Sequence, residues 1–202
     1  MDEIERLISR NPELEPCESA IREASQNLIS CFEKGNKLLL CGNGGSCADC
    51  EHIAGELVKQ FSRSRPLSAQ LKEKLGTELS SQLHGGLPAL SLPSMIGFHT
   101  AFNNDDNPEY AYAQQVVAFG RPGDVLMGIS TSGNSANVVQ AARAAKALDL
   151  SVISLTGKNG GTLAPIADHA IRAPAQETPR VQELHLPIYH ALCQVVEDTL
   201  FT

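Results

Sequence analysis

The chain contains no tryptophan, and aromatic residues fill only 4% of its 202 positions. Surfaces that grip nucleic acid cluster Lys and Arg into a basic footprint. Here acidic residues outnumber basic ones, for a net charge of -7, so no nucleic acid is expected as a partner. Long hydrophobic runs are missing as well. A stretch such as Val125 to Ile129 is far below the roughly 20 residues that cross a bilayer, so no membrane span is expected. Six cysteines are too few for a disulfide scaffold, and the opening MDEIERL carries no basic, apolar leader. A reducing cytoplasm is the expected setting. Any acidic small molecule must be held by local features rather than by overall charge.

What is present is enough apolar material, 42% of the chain, to bury the core of one α/β domain over residues 1–202. In CESAIREASQNLISCF, Ile21, Ala24, Leu28 and Cys31 recur three or four apart, so the N-terminal segment, about 1–34, is helical. KLLLC, ALSL, GDVLMGI, LSVISLTG and DHAIRAP read as five short strands. Between the third and fourth lies NSANVVQAARAAKAL, with Val138, Ala141, Ala142, Ala145 and Leu148 on one stripe. Strand, helix, strand is the pattern of a parallel crossover. VQELHLPIYHALCQVVEDTLF closes the chain as an amphipathic helix, with a bend expected at Pro187. The predicted architecture is a three-layer α/β sandwich with a mostly parallel sheet. Residues 63–86 break this rhythm: Leu67, Leu71, Leu75, Leu79 and Leu83 recur every four residues in a charged segment interrupted by Gly76. That is a helical insertion, read as a solvated linker helix, with a lid or a subunit contact as the alternatives.

One device occurs twice: a strand, a Gly/Ser turn, then a helix, at LLLCGNGGS and at MGISTSGNS. Unpaired N–H groups and the positive dipole end at a helix start can close around a phosphate. Ser130, Ser132 and Ser135 can line one concavity while Gly133 lets the backbone turn. Neither turn has the Lys-Ser/Thr of a Walker loop. Position 47 is not the third glycine of a dinucleotide fingerprint, and Ser132 stands where a nucleophile elbow needs glycine. Ordinary helix N-capping is the plainer reading of either turn alone.

Cys47 and Cys50 form a C-x-x-C at a helix start, where a redox thiolate is physically possible, but Cys17, Cys31, Cys41 and Cys193 look like small core residues. His52 and Glu56 stand at i and i+4, a spacing that can put imidazole and carboxylate on one metal ion, though a surface pair uses the same spacing. Gln182, Glu183, His185 and His190 are candidate partners. On an ideal helix Glu183 shares the face of His190 better than Gln182 does, and spacing leaves that choice open.

CGNGGSCADCEHIAGEL, FNNDD, GRPGDVLMGISTSGNSANVVQAARAA, SVISLTGKNGG and RVQELHLPIYHALCQVVEDTLF together resemble the sedoheptulose 7-phosphate isomerases, or phosphoheptose isomerases, of the sugar isomerase (SIS) fold. The resemblance covers nearly the whole chain outside residues 63–86. It implies a cytoplasmic homotetramer, with sites near subunit interfaces, that converts sedoheptulose 7-phosphate into an aldoheptose 7-phosphate for bacterial heptose synthesis. It implies substrate binding by Asn43, Gly44, Gly45, Ser46, Asn104, Asp105, Ser130, Thr131, Ser132, Ser135 and Gln182. Glu56 matches the family's base and His190 its acid; His52, Glu56, Gln182 and His190 match its zinc set, one ion per site. Gln60 stands where the family often has arginine, and Pro179 where it often has aspartate. An isomerase of another phosphosugar is one alternative. Another is a non-catalytic SIS protein that binds a sugar phosphate or a replication initiator.

Overall fold

In the computed structural model, which describes residues 1–201, the sheet is built from segments buried on both sides. Every position of β1 (Leu38–Gly42) is buried; Leu38 and Leu40 enter one apolar cluster, Leu39 and Cys41 the other. Two-sided burial is why this strand reads as an uninterrupted apolar run rather than an alternating one. With β2 (Ala89–Ser91), β3 (Val125–Ser130), β4 (Ser151–Thr156) and β5 (His169–Arg172) it forms a five-stranded sheet ordered β2-β1-β3-β4-β5. All four pairings are parallel, with Leu39 opposite both Leu90 and Leu126.

Helices cover both faces, as the sandwich reading requires. α1 (Glu3–Arg10), α2 (Glu18–Glu33), α3 (Gly45–Val58) and α8 (Thr178–Leu200) contribute to the first cluster; α6 (Ala111–Phe119) and α7 (Ala136–Ala147) to the second. α5 (Ile96–Asp105) buries no residue. The sequence reading contained neither α5 nor α6. α8 is continuous through Pro187. No helix among the described residues is long and apolar enough to cross a membrane.

The insertion forms α4 (Ala69–Gln82), capped by the Ser68 hydroxyl and broken at Gly76, whose φ of 76° lies outside the helical region. It buries no side chain, and Leu71, Leu79 and Leu83 are exposed. Its base is the opposite. The Gly85 N–H donates to the Arg65 carbonyl at 2.7 Å, pinching the segment shut. The fully buried Arg65 guanidinium donates to the carbonyls of Leu57 (2.6 Å) and Glu56 (3.0 Å) and to Glu197 Oε1 (2.7 Å). Orphan carbonyls at the end of α3 are thereby satisfied. Glu197, also fully buried, accepts the N–H groups of Phe61, Ser62 and Arg63 at 2.7–2.9 Å.

Because β1 lies between β2 and β3, the chain leaves β1 into α3 on one face and leaves β3 into α7 on the other. Such a reversal opens a crevice at the carboxyl ends of the strands, where sheets of this kind bind ligands. Both Gly/Ser turns sit at that edge.

Candidate active site

The first turn leaves β1 through Asn43 and Gly44. Gly44 holds φ 56° and ψ -119°, a conformation closed to other residues at low cost, and α3 starts at Gly45. Asn43 and Asn137 exchange amide hydrogen bonds (2.9 and 3.0 Å), tying this turn to the start of α7. Ser46 is buried in the first turn of α3. In the second turn Ser130 Oγ and Ser135 Oγ are 2.9 Å apart, Ser132 Oγ accepts the Asn134 N–H, and Thr131 Oγ1 lies 3.4 Å from Thr178 Oγ1. The contact with Thr178 brings in the start of α8. Gln182, one turn further along α8, packs on Gly45 so closely that a Cβ there would lie 2.3 Å from its Nε2. Three helix N-termini, those of α3, α7 and α8, therefore gather around hydroxyls and backbone at one edge, a setting that favours an anion.

α3 and α8 run side by side in the same direction. Gly45 meets Gln182; seven residues on, His52 meets Tyr189 and His190; at the far end, Arg65 joins α3 to Glu197. At 1.5 Å per residue the first two contacts are about 10 Å apart. At the second, His52 Nε2 is 3.3 Å from Glu56 Oε1 and 3.4 Å from His190 Nε2. His52 Nδ1 is 2.9 Å from the Tyr189 hydroxyl. Lys59 Nζ approaches Glu56 Oε2 at 3.1 Å, yet this buried oxygen makes no hydrogen bond. Burial first, and His52 second, hold His190 below the ordinary imidazole range, with Glu56 pulling the other way. His190 opens on a cavity of about 320 Å³ that it shares with Phe61 and Gln194. A separate cavity of about 370 Å³ lies at Asn43, Gly44, His99, Asn103 and Asn137.

The structure thus joins His52, Glu56 and His190, and separately joins Asn43, Gly44, Gly45, Ser46 and Gln182 with the serine turn. It does not bring Asn104 or Asp105 to either group. Both are exposed at the end of α5, where the Asn104 amide donates to Asp105 at 2.8 Å. The redox reading of Cys47 and Cys50 finds no support: both thiols are free, and burial followed by nearby acidic groups raises their pKa values, Cys50 the more strongly. Tyr189, Arg65 and Glu197 were not singled out from the sequence. Each matters through a partner more than 130 residues away.

Two imidazole nitrogens and one carboxylate oxygen are a zinc-type donor set. Bonds of about 2.0–2.1 Å in a tetrahedron put ligand atoms about 3.3 Å apart, which the two spacings at His52 match. Among the described residues no group of three or more His, Cys, Asp and Glu is assembled as a metal site. The fit therefore lies in donor type and in two edges, and a closed site needs side-chain movement and a fourth donor; the Gln182 amide stands at the other contact, about 10 Å along the helices.

Residues 1–85 and 86–157 match the SIS domain family. The phosphoheptose isomerase of Roseiflexus sp. is 40% identical over 202 residues, covering 100% of this chain and 93% of that protein. The chain belongs to the phosphoheptose isomerase family. Another phosphoheptose isomerase, from Rhodospirillum rubrum, is 41% identical over 91% of this chain and 88% of its own. Among solved structures, a phosphoheptose isomerase from Francisella tularensis matches with a TM-score of 0.80 and 31% identity, covering 94% of this chain and 91% of that one. In this phosphoheptose isomerase family member, Pro179 occupies the first turn of α8, where a missing N–H costs nothing. The Gln60 side-chain oxygen is buried without a hydrogen-bond partner.

Proposed function

We propose that the protein is an aldose–ketose isomerase that converts sedoheptulose 7-phosphate into D-glycero-D-manno-heptose 7-phosphate through an enediol. The carrying observation is that Glu56 of α3 and His190 of α8, far apart in the chain, both stand against His52. In the forward direction Glu56 takes a proton from C1, and the C–H electron pair becomes the C1=C2 bond. His190 protonates the carbonyl oxygen at C2 to give the enediol. His190 then takes the O1 proton while the Glu56 carboxylic acid returns its proton to C2, which leaves the carbonyl at C1 and both groups in their starting states. Acid and base contribute roughly 100- to 10,000-fold each in favourable geometry. The phosphate binds at the start of α3 and on the serine turn, about 10 Å along the helices from the reacting carbons. Its binding energy orients C1 and C2 without weakening the chemistry.

Zinc, one ion per site, belongs to this reading: His52, Glu56 and His190 would hold it, while the Gln182 amide of the same chain stands about 10 Å along the helices, at the anion-binding edge. When bound it supplies Lewis-acid polarisation of the carbonyl. The reading also includes a cytoplasmic homotetramer whose neighbouring subunits complete each site. Its support is that Asn104 and Asp105 do not reach the site within one chain and that Ile96, Val117 and Leu79 are exposed apolar side chains. A second phosphosugar is favoured by one specific feature, the buried Gln60 side-chain oxygen without a hydrogen-bond partner, at a position where the family resemblance leads one to expect arginine. A purely binding role fits poorly with an intact Glu56 and His190. The test is incubation of the purified protein with sedoheptulose 7-phosphate and other ketose phosphates, with and without a chelator, following aldose formation. Aldoheptose 7-phosphate is the expected product. Absence of aldose from every ketose phosphate, with and without added zinc, overturns the isomerase reading.

A further inference from the structure

The anion-binding edge is built without a free cation. Ser130 to Ser135, Asn43 to Ser46, Thr178 and Gln182 offer hydroxyls, amides and backbone N–H groups only. Arg180, in the first turn of α8, is already paired with Glu13 at 2.8 Å and with Glu183 at 2.9 Å. A phosphate dianion approaching a chain of net charge -7 is therefore repelled by the molecule as a whole, and the helix dipoles that hold it at the edge act only at close range.

Two cations stand next to that edge. The loop after β4 runs along the serine turn: the Gly157 N–H donates to the Thr131 carbonyl, the Leu163 N–H to the Gly133 carbonyl and the Thr162 N–H to Asn134 Oδ1, each at 2.9 Å. Lys158 follows Gly157 directly. The stem of Arg172, at the end of β5, lies on the same loop, so close to Gly160 that a Cβ there would be 3.0 Å from its Cδ. Both side chains are exposed, and among the described residues neither has an ion-pair partner. They line one cavity of about 650 Å³ between the start of α2 and β5, a volume within the range of small-molecule sites. Its acidic wall residue, Glu23, is engaged elsewhere: it accepts the Ser19 hydroxyl at 3.0 Å and lies 3.7 Å from His169 Nδ1. We propose that Lys158 and Arg172 form an auxiliary anion site, which receives the phosphate dianion of a sugar phosphate before it settles on the serine turn. A guanidinium fork and an ammonium point charge suit a phosphate monoester. One loop separates them from the turn, well inside the Debye length of about 10 Å at 0.1 M salt, so their attraction reaches the phosphate on either side of it. The passage from cavity to turn rests on the isomerase reading; the affinity of the cavity for phosphate does not.

Two measurements test this. Inorganic phosphate is titrated into nitrogen-labelled protein while the Arg172 Nε–H signal, assigned with Arg172→Gln, is followed. The signal is expected to move, and to move still in Ser130→Ala/Ser132→Ala, in which the turn itself is impaired. In turnover of sedoheptulose 7-phosphate at low ionic strength, Lys158→Gln/Arg172→Gln is expected to raise KM about tenfold with kcat and circular dichroism unchanged, and Lys158→Arg to keep the KM of the unaltered chain. The difference is expected to fall to about twofold or less in about 0.5 M salt. An Arg172 signal that phosphate does not move overturns the proposal, and so does a KM indifferent to the double substitution. A double variant that changes only the mass of the assembly in light scattering overturns it too, and makes the cavity a subunit contact. Failure of the isomerase reading shows separately, as absence of aldose product from the unaltered chain, and the phosphate titration then decides alone whether the cavity holds the anion.

Discussion

Glu56 and His190 each stand against His52, Glu56 through Oε1 at 3.3 Å and His190 through Nε2 at 3.4 Å. Glu56→Gln keeps the shape of the side chain and removes the base; His190→Ala removes the acid. Each is expected to lower kcat by about 100- to 10,000-fold with the thermal transition little changed, checked by turnover assays alongside calorimetry. Since both residues share His52, the double variant should fall short of the product of the two losses. Turnover by Glu56→Gln close to that of the unaltered chain rejects the assignment of the base. The histidine nearby at position 185 has a different task. Burial holds its pKa near 4, and it contacts the Thr156 carbonyl at 3.2 Å. It is a neutral core group linking α8 to β4, not a proton carrier for substrate.

The elements carry a second set of expectations, because the two turns respond differently to the same change. A Cβ added at Gly133 would lie 2.0 Å from the Gly160 carbonyl, at a φ of 68°, so backbone must move against backbone. Gly133→Ala is expected to cost at least about 1–3 kcal/mol, read as a lowered Tm. A Cβ at Gly45 meets instead the flexible end of Gln182. Gly45→Ala should leave Tm nearly unchanged and raise KM, as Gln182 is pushed off the anion-binding edge. A Tm loss for Gly45→Ala equal to that for Gly133→Ala would contradict this division. β1, β3, β4 and α7 were legible because burial on two faces, or on one stripe, imposes a pattern on consecutive residues. The turns were legible because their backbone needs glycine and their helix starts favour serine. α5 buries nothing and so has no stripe to read, and α6 hides its periodicity by burying Gln115 beside alanines. Tyr189, Arg65 and Glu197 were not legible for another reason: their roles arise from contacts between segments far apart in the chain, and Glu197 in particular resembles an ordinary charge near a helix end.

At the scale of the whole molecule, the buried Arg65–Glu197 pair ties together α3, α8 and the root of the insertion. Removing one partner of a buried ion pair strands the other, so Glu197→Ala is expected to cost about 3–5 kcal/mol, measured by urea denaturation. Its pH dependence has a definite sign. Burial works to raise the pKa of Glu197, but the N–H groups of Phe61 and Ser62, the Arg65 guanidinium and the Arg63 N–H bring it down to about 2, from 4.5. A depressed carboxylate pKa stabilises the fold above the unfolded value, and that contribution is lost as pH falls from about 4.5 through about 2. In Glu197→Gln, urea midpoints should vary less with pH across this window than in the unaltered chain.

The last strand ends at Arg172, whereas Gln182, Tyr189 and His190 all lie on the helix that follows. During translation the sheet is therefore made before the helix that both covers one of its faces, through Val181, Leu184, Ile188 and Leu192, and carries the imidazole that partners Glu56. A copy cut short before this helix lacks the imidazole and a wall of the core at once, so the final stretch of polypeptide seals the fold and arms the site in one step.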